Sequence, residues 1–283
     1  MHKLNKKGAE FFIPDGKPIE KALARTTHMA IAAHQDDIEI MACHGILQCF
    51  GKDDQWFFGV VTTDGAGSPR DDLYKDYTNE EMKEIRKKEQ KKSAYVGEYS
   101  GVAMLSYTSG EIKDPSNEEA VNELAELIRL AQPEILYTHN LADKHDTHVG
   151  AVVKVIKAIR SLPQDLRPRK VYGCEVWRNL DWLNDEDKVV MDVSSHPNIA
   201  QAVLEVHDSQ ICGGKRYDLA AQGRRLANAT YAESHGVDTS SAINYAMDLT
   251  PLALDDHLDM AAYVVNYIES FKNDVKSRIS KVL

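Results

Sequence analysis

The chain has 283 residues, 43% of them hydrophobic and 28% charged, enough for a substantial core and ordinary for a soluble globular protein. Its formal net charge of −10 argues against a general affinity for nucleic acid or anionic membrane, both of which need a basic footprint. No apolar stretch approaches the roughly 20 residues that span a bilayer, residues 1–15 lack a secretory apolar core, and the four cysteines form no C-x-x-C pair. Together these features predict a cytoplasmic protein with reduced thiols.

Short apolar runs alternate with longer helical patterns, which predicts an α/β fold with a mostly parallel sheet flanked by helices. After a lead-in over residues 1–27, residues 29–33 read as the first strand. Ile38, Met41, Ala42, Ile46 and Cys49 then recur at helical spacing. Residues 56–62 read as a second strand and 63–77 as a polar, Gly-containing loop. A highly charged helix over 79–96 buries only a narrow stripe. Residues 102–107 read as the third strand. Ser116 with Glu119 suggests a capping box for a helix carrying Leu124 and Ile128. Residues 135–138 form a fourth strand, and Thr147 is a candidate cap for the helix after it. Residues 170–177 and 189–193 are later strands; 197–283 are mainly helical, ending in an amphipathic helix near 258–271. With no repeat or linker, residues 1–283 read as one domain.

In open parallel sheets the carboxyl ends of strands collect functional residues. His34, Asp36 and Asp37 directly follow the first strand. His145 and His148 lie in the segment after the fourth. His34 and Asp37 are three apart, as are His145 and His148, so each pair can project to one side of a turn entering a helix. Two neutral imidazoles and a carboxylate suit zinc with a fourth position open for water, although the same donors can hold iron(II). Either fragment alone is common. Their shared position after two apolar strands is what makes them a candidate metal site.

The segment 33–40, Ala-His-Gln-Asp-Asp-Ile-Glu-Ile, resembles the A-H-x-D-D motif of the LmbE-like (PIG-L) zinc-dependent de-N-acetylase family. It is closest to the bacillithiol-biosynthesis branch, where a glutamate falls two residues after the second aspartate, as Glu39 does. His145 and His148 match the family's H-x-x-H, Thr63-Asp64-Gly65 its T-D-G loop, Arg86 and Glu89 its R-x-x-E helix, and 207–210 a later H-x-S-Q segment. The resemblance implies a Rossmann-like fold, Zn2+ as cofactor, and His34, Asp37 and His148 as its ligands. Asp36 would then be the general base, with a helix N-cap as its bland alternative. His145, as imidazolium, would stabilise the oxyanion or protonate the leaving amine. Arg86, Asp64 and Arg70 are candidate substrate contacts, against the plainer reading of a solvated helix face and an ordinary turn. Asp146 is a candidate for orienting a neighbouring histidine, and Trp177 and Tyr107 for stacking on a sugar, unless they are core. His44, His139, His196 and His235 read as structural, and His28 reads as a strand start away from the site edge.

The implied activity is hydrolysis of an N-acetyl group from an N-acetylglucosamine-type glycoside or related small acetamido sugar, with no nucleic-acid partner, no membrane span and a homo-oligomeric state. The rival readings are a zinc amidase acting on a larger acyl or thiol-conjugate amide, an iron(II) oxygenase, and a non-catalytic Rossmann-like binding module.

Overall fold

In the computed structural model, which describes residues 3–283, the apolar runs do become strands. They are β1 (Glu10–Phe12), β2 (His28–Ala32), β3 (Phe57–Thr63), β4 (Gly101–Tyr107), β5 (Ile135–His139), β6 (Lys170–Cys174), β7 (Lys188–Asp192) and β8 (Ile243–Asp248). All join one sheet in the order β1-β4-β3-β2-β5-β6-β8-β7. The five central strands are parallel. At one edge β1 pairs antiparallel with β4; at the other, β8 pairs antiparallel with both β6 and β7. Every residue of β2 is buried, as expected of a strand covered on both faces.

The helices divide between the two faces. On one side lie α1 (Ile19–Ala24), α5 (Ser109–Lys113), α6 (Glu118–Ala131), α7 (Asp146–Arg160), α11 (Thr250–Leu254) and α12 (Met260–Ser280). The opposite face carries α2 (Asp37–Met41), α3 (Cys43–Cys49), α4 (Asn79–Val96), α8 (Pro197–Glu205) and α10 (Tyr217–Tyr231), with the single turn α9 (Asp208–Ile211) beside them. The strand period of two decides the sorting: Met29 and Ile31 enter the first core, Ala30 and Ala32 the second. No helix among the described residues is long and apolar enough to cross a membrane.

Several local expectations change. The helix after β2 is two short ones, broken at Ala42. Asn117, not Ser116, caps α6, because its side chain accepts the Ala120 N–H. His145, not Thr147, caps α7, its ring nitrogen accepting the Thr147 N–H. Strand β6 ends at Cys174, short of residue 177. Strands β1 and β8 and helix α1 arise where the sequence pattern shows only a lead-in and a helical tail; Met1 and His2 of that lead-in lie outside the described residues.

The chain leaves β2 for β3 and β4 on one side, then returns to place β5 and β6 on the other. Between β2 and β5 the connections therefore diverge, the topological switch point where open sheets form a crevice.

Candidate active site

Both halves of the histidine–aspartate pattern arrive at this crevice. His34, Asp36 and Asp37 occupy the β2–α2 corner, and His145 and His148 the start of α7. His34 Nδ1 lies 3.1 Å from Asp37 Oδ2 and 3.3 Å from His148 Nε2, and that Nε2 is 3.3 Å from the same carboxylate oxygen. A tetrahedral site with bonds of about 2.0–2.1 Å has edges of about 3.3 Å, so the three donors already form one face of such a site. They line a cavity of about 410 Å³, which leaves room opposite that face. The donor set and its spacing fit a divalent cation.

Electrostatics agrees with the geometry. Burial works against charge on Asp37, yet the His148 and His34 imidazoles hold its carboxyl well below the usual range. Burial likewise disfavours a charged His148, but Asp37 and Asp143 push it up to about 10. Negative charge here demands a cation, whether proton or metal.

Asp143 is the residue that sequence reasoning missed. Its Oδ2 takes the His148 Nδ1 proton at 3.0 Å and the Val176 N–H at 3.2 Å, and Oδ1 takes the Lys144 N–H at 2.6 Å. That bond fixes the tautomer and turns the His148 Nε2 lone pair toward the donor face. Asp146, expected in this role, makes no such contact among the hydrogen bonds of the described residues. His139, expected to be structural, stacks on His148 with ring centres 3.9 Å apart and reaches within 3.4 Å of Asp37. His139, Asp143 and His148 also form a cluster of metal-binding type. Its lone pairs are spent, since His139 Nε2 accepts the Ala33 N–H at 2.8 Å and Asp143 already holds His148. All three are buried, and only the His34 trio faces the cavity.

Asp36 sits at φ 89°, ψ −32°, a backbone that non-glycine residues adopt only under constraint. It occupies the N-cap position of α2 without a side-chain capping bond. The strained corner aims its carboxylate into the cavity beside the donor face. Burial pushes this carboxyl up to about 7, against the pull of Arg86.

Arg86 is buried on α4, not part of a solvated face. It donates to the Gln35 carbonyl and the Ser68 hydroxyl, and its Nη2 lies 3.6 Å from Asp36 Oδ1. Gly65, at φ +73°, packs against it; a Cβ there would meet Gln35 Oε1 at 2.5 Å and Arg86 Cδ at 2.9 Å, so this turn requires glycine.

The loop residues behave differently from expectation. Asp64 accepts the Ala66 N–H at 3.1 Å and pairs with Lys83 at 3.2 Å; Arg70 donates to the Ala66 carbonyl and Asn79. Both brace the loop, while Gly65, Gly67, Ser68 and Pro69 line the cavity. Trp177 lines the cavity too, and Tyr107 is core, bonded to Glu123 at 2.8 Å.

The later motifs interlock behind the site. Glu89 accepts the Ser209 N–H at 2.7 Å and hydroxyl at 2.6 Å, which holds neighbouring Gln210 against the cavity. Glu39 takes Gln90, Ser93 and Tyr99 on one oxygen and lies 3.3 Å from His207 on the other. A charged network thus ties α4 and α9 to the β2–α2 corner.

Residues 29–159 match the PIG-L family model, GlcNAc-PI de-N-acetylase. That stretch contains the metal-type trio, Asp36, Asp143, His145 and Arg86. Comparison with curated proteins gave no match. Among solved structures, the conserved protein TT1542 from Thermus thermophilus is similar at 15% identity and TM-score 0.63, over 82% of this chain and 98% of its own. The N,N′-diacetylchitobiose deacetylase from Pyrococcus horikoshii is similar at 18% identity and TM-score 0.59, over 78% and 84%. GalB, the 4-carboxy-2-hydroxymuconate hydratase from Pseudomonas putida, is similar at 16% and 0.60, over 79% and 95%. At these identities they share the fold, an α/β architecture with a mostly parallel sheet between helices. The matched stretch, under half of the chain, is the region that builds the site.

Proposed function

We propose that this protein is a metal-dependent N-deacetylase that hydrolyses the acetamide of a small acetamido sugar, most closely an N-acetylglucosamine-type glycoside. The observation that carries the reading is the open triangle of His34, Asp37 and His148 donors with the Asp36 carboxylate beside it in one cavity. Those three residues would hold zinc, which when bound supplies Lewis acidity that makes water nucleophilic near neutral pH.

Asp36 takes the proton as the water oxygen bonds to the amide carbon, a task suited to a carboxyl raised to about 7. Arg86 keeps that carboxylate oriented across 3.6 Å. His145 lines the same cavity with Nδ1 engaged by the Thr147 N–H, which leaves its proton on Nε2. Burial and the neighbouring His148 and His34 rings keep it below its ordinary value. It therefore donates from Nε2 to the carbonyl oxygen. The proton held by Asp36 passes to the nitrogen as the C–N bond breaks, releasing acetate and the amine.

Half-buried Trp177, with the Lys144 and Lys215 ammoniums each 5.5 Å from its ring centre, lines the cavity together with Gly65, Gly67, Ser68 and Pro69. Asp64 and Arg70 serve by holding that loop, and Arg86 reaches substrate through the Ser68 side. Four cysteines without disulfides fit a reducing, cytoplasmic setting.

The test is a screen of N-acetylglucosamine glycosides, with longer acyl amides as a second arm, read by amine release and paired with elemental analysis. Deacetylation by metal-loaded protein that stops on chelation is the expected result. Release only from longer acyl amides would replace acetyl in the assignment, and metal-free protein with no amide turnover would leave a binding module.

A further inference from the structure

Helix α12 has an outer face that no other described part of the chain covers. Its inner side is pinned: Val264 is buried, the Tyr263 hydroxyl donates to the Asp248 carbonyl at 2.8 Å, and Ser270 accepts from Asn184 at 3.1 Å. About a hundred degrees round the helix, Val265, Ile268, Lys272, Val275 and Ile279 recur at spacings of three and four, continued by Val282. The apolar members are 50%, 40%, 39%, 51% and 85% exposed. Alternation of three and four is a narrow 3.5-residue seam, the geometry by which one helix packs lengthwise on another.

We propose that this seam is a self-association surface on which α12 pairs antiparallel with α12 of a second copy. The charge pattern selects both occupant and direction. Along the seam's flank the first half carries Glu269 and no basic residue before Lys272, whereas in the last part Lys276, Arg278 and Lys281 outweigh Asp274, which pairs with Arg278. A two-fold antiparallel pair brings Glu269 of each copy beside Lys276 of the other, twice, and each seam residue meets the same set on its partner. The parallel alternative stacks Lys272 on Lys272 at the centre. In the antiparallel register Lys272 meets Val275, and its ammonium is already drawn aside to Glu269, leaving the aliphatic stem on the seam.

Sedimentation equilibrium on the full chain tests this. A dimer is expected that Val275→Glu with Ile279→Glu weakens by at least ~100-fold, at unchanged near-UV circular dichroism. Glu269→Lys alone is expected to weaken it roughly two- to tenfold, and adding Lys276→Glu to restore it. A monomer at all concentrations, or a dimer indifferent to the double glutamate variant, overturns the proposal. So does failure of Lys276→Glu to rescue Glu269→Lys, since only the antiparallel register brings these two together.

Discussion

A buried histidine stands near each end of the parallel sheet, and the two are driven in opposite directions. At the amino end, His28 stacks on Tyr137 with ring centres 6.4 Å apart and bonds Thr27 Oγ1 at 2.9 Å. Burial, aided by the nearby His44 and Lys52, pushes it down to about 4. At the carboxyl end His148 is as deeply enclosed, but Asp37 and Asp143 overcome its burial and push it up to about 10. The same side chain is a neutral packing element at one end and half of an unmet demand for a cation at the other. Burial therefore does not mark a functional histidine. The carboxylates around it do, and the crevice at the strands' carboxyl ends is where the fold lets them converge.

The largest effect should come from removing the donor that the two carboxylates flank. His148→Ala deletes one of the three facing donors and is expected to abolish tight metal binding and lower turnover at least ~1000-fold, read by elemental analysis and amine release. Metal retained at full stoichiometry would show that the triangle is not the site. Asp36→Asn is expected to keep the metal and lose about 100- to 10,000-fold in turnover, since it removes the base while leaving the donors intact. Near-normal turnover in that variant would return Asp36 to a merely architectural role. Asp143→Asn tests the difference between the two ends more finely. It takes away the carboxylate that makes His148 unlike His28, and metal affinity should fall about 10- to 100-fold with the fold preserved. An unchanged affinity, measured by chelator competition, would mean that Asp37 alone sets the character of His148.

The residues of the donor face were legible because each half is local. A five-residue apolar run, then His34 and Asp37 three apart, fixes the first corner, and β5 followed by His145 and His148 fixes the second. Their meeting needed only the rule that parallel strands present carboxyl ends together. What escaped was non-local. Asp143 becomes a partner of His148 only because the chain leaving β6 brings the Val176 N–H to its other side, and no periodicity announces that. His139 reads as a structural residue just past the fourth strand; it is the last residue of β5, and only the stacking of α7 across it places it at the site. Arg86 looks solvated on a helix of lysines and glutamates, since its partners Gln35 and Ser68 come from other corners of the fold. Strands β1 and β8 are stabilised by antiparallel neighbours far along the chain, so their own residues carry a weak signal.

The smallest effect probes the amino end. His28 has a folded-state value of about 4 against an ordinary 6.5, so the folded protein binds fewer protons than the unfolded chain between these limits. Its contribution is fully present above pH 6.5 and is lost as pH falls, by about 2 kcal/mol at pH 5 and approaching about 3 kcal/mol below pH 4. His28→Gln removes the titrating group while keeping a polar side chain beside Thr27. Urea unfolding of the two proteins at pH 7.5 and pH 5 should therefore show a smaller acid loss in the variant, by about 2 kcal/mol. Parallel losses in the two proteins would mean that His28 is protonated in the folded state near its ordinary value. The contrast with His148 would then rest on the carboxylates alone, with no share for the apolar packing around Tyr137.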